Sequence, residues 1–409
     1  MKLVTTINNK LKDTTGFRIA LILCSIVLIA LREPALLLYP RLWAEEGCIF
    51  YEFALHHSLY EVFTTAHVGY LTLFNSIVSV LQAKIFSIEN AAVVSTYMGF
   101  LIQLIPVYII SFTNYKLWNT PFKKIVSILI VIVVTAPEQW LNTTNSHFIF
   151  GLITFFVMVV PSVELSKFQK YFFRILLFIG GLTGPASIFF TPTFFLKAYK
   201  EKSKEKYTQA GIISLCALIQ ALVIVYSILF DNKYKRLSEH NHLRAVYHFL
   251  IDNFSMISQA STSYLHPITR YLSAFFGALM FIIFILLLYK NRKNSTNLIP
   301  LLSIIIVGLF STLGSLHMAG GPRYAYIPTC ILMMLLLSDF FDTKQIVTYI
   351  ASIALVICLT IYIIDYRESM VSVYNPTYPK WQDELIKHIA DTTYNPRIHP
   401  GTDPWQVKL

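Results

Sequence analysis

Charge is scarce in this chain. Asp, Glu, Lys and Arg supply 13% of its 409 residues against 55% for the apolar types, and mean hydropathy is +0.58. That balance excludes an ordinary soluble domain and is the composition of a polytopic membrane protein. No polar stretch is long enough to form a separate soluble domain. There is no internal repeat either, which counts against a transporter built from inverted halves. Cysteine offers neither a disulfide framework nor a metal site: Cys24, Cys216, Cys330 and Cys358 fall inside apolar runs, and Cys48 has no loop partner. His240, His242 and His248 do not follow the HExxH pattern of a helical zinc site, so no metal is expected.

What is present is a series of apolar runs of roughly twenty residues, the length a helix needs to cross about 30 Å of hydrocarbon. The fold class expected is all-α, a polytopic integral membrane protein with about eleven transmembrane helices and one re-entrant or juxtamembrane helix. The net charge of +11 is spread over short loops instead of gathering into a patch, which excludes nucleic acid and points to membrane topology. The first apolar run, residues 17–38, follows Lys2, Lys10, Lys12 and Arg18 and lacks a small-residue cleavage site, so it reads as a signal anchor with its N-terminus in the cytoplasm.

Residues 68–86 are interrupted by Asn75, Ser76, Gln82 and Lys84. If they crossed the membrane, the basic loop 115–124 would lie outside and the loop 137–147, which has no Lys or Arg, would lie inside. Folding them back on the outer side reverses both and satisfies the charge bias. Residues 174–197 read as a hairpin of two short helices turning at Gly184 and Pro185, and the five lysines of 197–206 mark the cytoplasmic side. Three units follow: 1–230 with a first outer loop at 32–90, 231–364 with a second outer loop at 231–270, and a tail, 365–409, on the outer face. Val246, Phe249, Leu250, Phe254 and Ile257 in the second loop, and Trp381, Leu385, Ile386 and Ile389 in the tail, have the spacing of amphipathic surface helices.

The polar residues then sort by side. Lysines collect inside, whereas Arg32, Arg41, Glu45, Glu46, Glu138, Asn142, Asn145, His147, His240, His242, His317, Arg323 and Tyr324 collect outside. The densest stretch is 31–51, LREPALLLYPRLWAEEGCIFY, directly after an apolar helix. Charge so close to hydrocarbon needs water, a partner or a ligand. Glu45 and Glu46 point about 100° apart on a helix, so one of them, not both, is the candidate general base, its pKa raised by apolar walls. The competing role for Glu46 is to stabilise the start of a surface helix over 48–63. Arg32, Arg41 and Arg323 have the planar fork that grips phosphate; the competing role is snorkelling at a helix end. Arg323 follows Gly320, Gly321 and Pro322, a turn that fixes its direction. In PEQWLNTTNSHF, Glu138, Asn142, Asn145 and His147 offer partners for sugar hydroxyls, and Trp140 offers a flat face for a sugar ring.

This arrangement resembles the GT-C class of membrane glycosyltransferases, which use polyprenyl-phosphate sugars. RLWAEEG resembles the first acidic loop motif of that class, 68–86 its juxtamembrane helix, and PEQWLNTTNSH its second loop. Size and hydropathy are similar to those of the serotype-converting O-antigen glucosyltransferases of bacteria and phage. The resemblance implies an inverting transfer of a hexose to a surface glycan at the outer face of the bacterial inner membrane. Glu46 or Glu45 would be the base, and Arg323 with Arg32, Arg41 and Tyr324 would hold the donor phosphate. It also implies a donor-lipid synthase and a flippase as partners. The second loop carries Glu138 but no clear Asp, which departs from metal-assisted members of the class. Two other activities stay open: a flippase or transporter for a lipid-linked saccharide, and an O-antigen polymerase or ligase. The first would normally carry ionisable residues at the membrane midplane, and no Asp, Glu, Lys or Arg falls there.

Overall fold

The computed structural model describes residues 11–67, 69–230, 249, 253–254, 267–292, 295–313, 322–339, 346–372, 374–375, 377–401 and 405–409. Among these the chain is all-helical, with isolated bridges but no strand. Helix α1 (Thr15–Arg32) starts at Thr14, whose hydroxyl accepts from the Phe17 amide. Its Leu23, Val27 and Leu31 recur every fourth residue and stay exposed. Such an apolar stripe is stable where hydrocarbon covers it.

Next come α2 (Leu73–Val80, continued to Ile85 by a wider turn), α3 (Ala91–Phe112), α4 (Pro121–Val134) and α5 (Ser146–Val159). A hairpin of α6 (Lys167–Gly181) and α7 (Thr191–Glu201) turns through Gly184 and leads to α8 (Lys204–Phe230). The described part of the later chain contains α9 (Pro267–Asn291), α10 (Ser295–Leu313), α11 (Pro322–Asp339), α12 (Ile346–Glu368) and α13 (Trp381–Ala390). Three segments are long and apolar enough to cross a membrane: Thr15–Arg32, Ile88–Phe112 and Lys204–Phe230. Shorter apolar helices include α5 and parts of α9 to α11. Every residue of α5 except His147 is buried, with α3, α6 and α11 around it.

Polar side chains concentrate at two ends of this bundle. At one end Lys124 and Arg18 pair with Asp13 at 2.9 and 2.8 Å, and Arg174 pairs with Glu205 at 2.5 Å. Gln169 donates to the Phe112 carbonyl and so joins these two groups into one layer. At the other end Arg32, the last residue of α1, donates to the carbonyls of Thr135, after α4, and Tyr366, in the last turn of α12.

Helix α2 hangs from the Arg32 end without reaching the other. With its extension it has thirteen residues, about 20 Å at 1.5 Å each, well short of about 30 Å of hydrocarbon. Its start is pinned to the hairpin turn. The Leu73 amide donates to the Leu182 carbonyl and Gly184 to Leu71, while the Gln220 side chain of α8 both accepts from and donates to the Leu71 backbone. Two chain breaks therefore meet inside the bundle with their backbone groups paired, the condition under which irregular backbone survives at membrane depth.

The divisions expected at 230 and 364 do not bound separate cores. One hydrophobic cluster runs from Ile29 through α5 to Tyr362. The tail packs on the first loop through a smaller cluster that includes Leu42, Tyr51, Ala91, Trp381, Leu385, Ile398 and Val407. In α13 the four expected apolar residues split: Trp381 and Leu385 are buried on the protein, whereas Ile386 and Ile389 face outward. The expected surface helix of the second loop lies outside the described residues apart from Phe249 and Phe254, as do His240, His242, His248, His317, Gly320 and Gly321.

Candidate functional site

The site grows from the chain that leaves α1. After a short helix, Pro34–Leu38, the backbone runs extended to Ala44, which adopts a left-handed conformation with φ +44°. An L-residue is disfavoured there and needs its surroundings to hold it. A wide helical turn, Glu46–Tyr51, follows at once.

Glu46 is 2% exposed. Its carboxylate accepts from the Trp43 amide at 2.7 Å, from the Thr143 hydroxyl at 2.8 Å and from the Thr143 amide. Burial raises its pKa, and the hydrogen bonds from Thr143 and Trp43 offset part of that rise. Glu46 therefore stitches the first loop to the loop 137–147. Three of its roughly four acceptor positions are taken from within, so Glu46 is committed to this junction.

Glu45 is different. It is partly exposed, and its carboxylate makes no hydrogen bond or ion pair among the described residues. Arg323 lies within electrostatic reach of it. Arg323 opens α11 and donates through Nη1 to Glu138 Oε2 at 3.1 Å, both side chains remaining partly exposed at 33% and 44%. The guanidinium carbon lies 5.4 Å from the ring of Tyr324. Tyr324 packs edge-on against Phe148, Phe148 lies 4.0 Å from His147, and His147 faces Tyr70 at 6.3 Å. A row of aromatic rings thus leads from the paired chain breaks at 71–73 and 182–184 to the carboxylates around Arg323.

The remaining candidates serve the scaffold. Asn142 and Asn145 both donate to the Glu138 carbonyl, at 2.6 and 2.8 Å, and shape the second loop. That loop can press against α3 because residue 99 is glycine: a Cβ there would lie 2.6 Å from the Asn142 nitrogen. Trp140 is 1% exposed, with Arg32 over its ring at 4.4 Å and Tyr366 edge-on at 6.0 Å. Its face is covered, which corrects its expected role as a sugar platform. Arg32 donates to Tyr366 O at 2.9 Å, Thr135 O at 2.7 Å and the Ser369 hydroxyl at 3.3 Å. It is a staple between helix ends.

Arg41 is also corrected. It is 2% exposed, donates to the Trp140 carbonyl at 3.3 Å and lies 4.3 Å over Trp43. Burial pulls its pKa down to about 10 against the fields of Glu46, Glu33, Tyr374 and Tyr378. Of the residues named from sequence, the fold brings Glu45, Glu138, Arg323, Tyr324 and His147 to one face. It turns Glu46, Arg32, Arg41, Trp140, Asn142 and Asn145 inward.

Sequence reasoning passed over Thr143 and the tail residues Tyr374, Tyr378 and His399. Thr143 was visible only within the sequon-like NTT. The tail's amphipathic helix is legible, but its docking on the first loop is not, because contacts such as His399 with Leu42 and Ala44 close over more than 350 residues. Among the described residues no three His, Cys, Asp or Glu side chains converge as metal ligands. No family model matches this chain, and no curated protein matches it.

Proposed function

We propose that this chain is a polytopic membrane glycosyltransferase of the GT-C kind, moving a hexose from a polyprenyl-phosphate donor to a cell-surface glycan, with Glu45 as the base. The observation that carries the reading is the contrast between two adjacent glutamates. One is buried and hydrogen-bonded by Trp43 and Thr143, and the other is partly exposed and within electrostatic reach of a partly exposed arginine. In this reading the Arg32 end is the outer face, the basic Lys124 end is cytoplasmic, about eleven helices span the bilayer and α2 is re-entrant.

The chemistry is a single inverting displacement. Glu45 takes the proton of the acceptor hydroxyl, and the oxygen attacks the anomeric carbon from the face opposite the phosphate. The carbon–oxygen bond to phosphate breaks, its electron pair goes to the phosphate oxygen, and the polyprenyl phosphate leaves. Arg323 meets the charge that grows on that oxygen, exchanging Glu138 for phosphate on its exposed side. Glu138 returns to Arg323 when the lipid departs. Tyr324 and His147 border the approach of the acceptor.

The test is transfer from polyprenyl-phosphate glucose to O-antigen lipopolysaccharide by protein in lipid nanodiscs. Glu45→Gln keeps the shape and removes the base, so turnover falls by roughly 10²- to 10⁴-fold. Retained turnover in correctly inserted protein would refute the assignment. The paired chain breaks favour a second reading, a flippase for a lipid-linked saccharide, since discontinuous helices mark transport sites. Deleting the gene separates the two: loss of one hexose branch from the surface polysaccharide supports transfer, and loss of whole repeat units supports the flippase.

A further inference from the structure

After α12 the chain returns to the first loop and binds it through its backbone. The His399 amide donates to Leu42 O at 3.2 Å and the Ala44 amide donates to His399 O at 2.7 Å, so His399 brackets Trp43. Farther along, the Lys408 amide donates to Glu52 at 3.0 Å, and the Trp381 indole donates to the Ile88 carbonyl at 2.8 Å. The tail is itself a built unit: Ile398 N donates to Trp405 O and Val407 N to Pro396 O, while Glu384 accepts from the Tyr394 hydroxyl and the Arg397 amide. Its close approach depends on Gly47, where a Cβ would lie 2.5 Å from Ile398 Cδ1 and 2.9 Å from Val407 Cγ2.

These contacts converge on the three residues around Glu45. Ala44 sits in a conformation it would leave if released, and its amide is held by His399. Glu46 is held by Thr143 on the other side. Glu45 lies between the two anchors and its side chain has no bond among the described residues, so its direction is set by theirs. The geometry points to the C-terminal tail as a strap whose segment at Ile398 and His399 positions Glu45 toward Arg323. This rests on Glu45 being the base, and Ile398 and His399 are positioning residues that touch no reacting atom.

The experiment uses full-length protein in nanodiscs with two readouts: hydrogen exchange of the amides over 42–47, and transfer from polyprenyl-phosphate glucose to lipopolysaccharide. Gly47→Ala forces the tail away. Exchange at 42–47 rises, kcat falls by up to about a hundredfold, the effect of a misplaced catalytic group, and KM for the lipid donor stays put. Adding Ile398→Val and Val407→Ala, which removes both atoms that the new methyl meets, restores the slow exchange and the kcat. That rescue keeps the test decisive if Gly47→Ala alone folds poorly. Unchanged exchange in Gly47→Ala overturns the strap. Faster exchange with unchanged kcat overturns the positioning role. If wild-type protein transfers no glucose, the proposed activity fails and the positioning role with it, while exchange alone still decides whether the tail is docked.

Discussion

At the scale of single residues, two adjacent carboxylates have opposite fates. Glu45 and Glu46 are chemically alike, yet one is aimed into the loop junction and the other toward the surface, because Ala44 turns the backbone through a left-handed step just before them. Glu46→Ala leaves the Trp43 amide and both Thr143 donors without an acceptor. At about 1–3 kcal/mol for each buried donor left unpaired, the expected loss is at least about 3 kcal/mol, read as a lower unfolding midpoint in detergent. Arg32→Met removes a staple on two carbonyls and a hydroxyl and is expected to cost about 3 kcal/mol by the same measurement. In the proposed mechanism neither substitution alters the nucleophile or its base. A full loss of turnover in folded Glu46→Gln protein, with Glu45→Gln still active, would reverse the assignment between the two.

The C-terminal tail is the element whose stability depends most directly on pH. Burial pushes the Glu384 carboxyl up, but hydrogen bonds from Lys387, Tyr394 and the Arg397 amide outweigh it and hold the pKa below the ordinary value. A depressed carboxylate adds stability above its unfolded pKa, about 4.3, and loses it as pH falls through the folded value. Asp13 behaves alike at the opposite end: burial raises it, while Arg18 and Lys124 bring it lower overall. Glu46 has the opposite sign, since burial raises its pKa and the fold prefers its neutral form. His399, whose pKa burial and the field of Arg41 pull down to about 3, acts in the same direction as Glu384, so acid below about pH 6.5 is expected to loosen the tail before the loop junction. Hydrogen exchange followed against pH checks this: amides over 391–399 gain exchange first, and simultaneous opening of Thr143 would contradict it.

The whole molecule is organised by two polar ends and an apolar girdle. The exposed stripe of Leu23, Val27 and Leu31 on α1 is matched on α8 by Leu215, Leu218, Leu222, Val225 and Leu229, every one more than half exposed. Exposed helix faces this continuous are stable against lipid chains, not water. In the proposed topology the two ends face opposite aqueous phases. In a cysteine-free background, Lys12→Cys and Lys408→Cys are expected to react with an impermeant maleimide from opposite sides, Lys408→Cys from outside. Labelling of both from one side would overturn the orientation.

The sequence by itself determined the solvent and the period. A chain with 13% charge and repeated apolar runs folds in lipid as helices, since its backbone groups must pair internally. It also narrowed the site to the stretch around Glu45 and Glu46 and to Arg323, because charge beside hydrocarbon stands out locally. Only the tertiary structure decided which of these charges is open. The direction of a side chain depends on partners distant in sequence: Thr143 for Glu46, Thr135 and Tyr366 for Arg32, and His399 for the turn that carries Glu45. Local spacing carries no record of contacts that close over hundreds of residues, so an arginine or tryptophan committed to the scaffold reads the same in sequence as one waiting for a ligand.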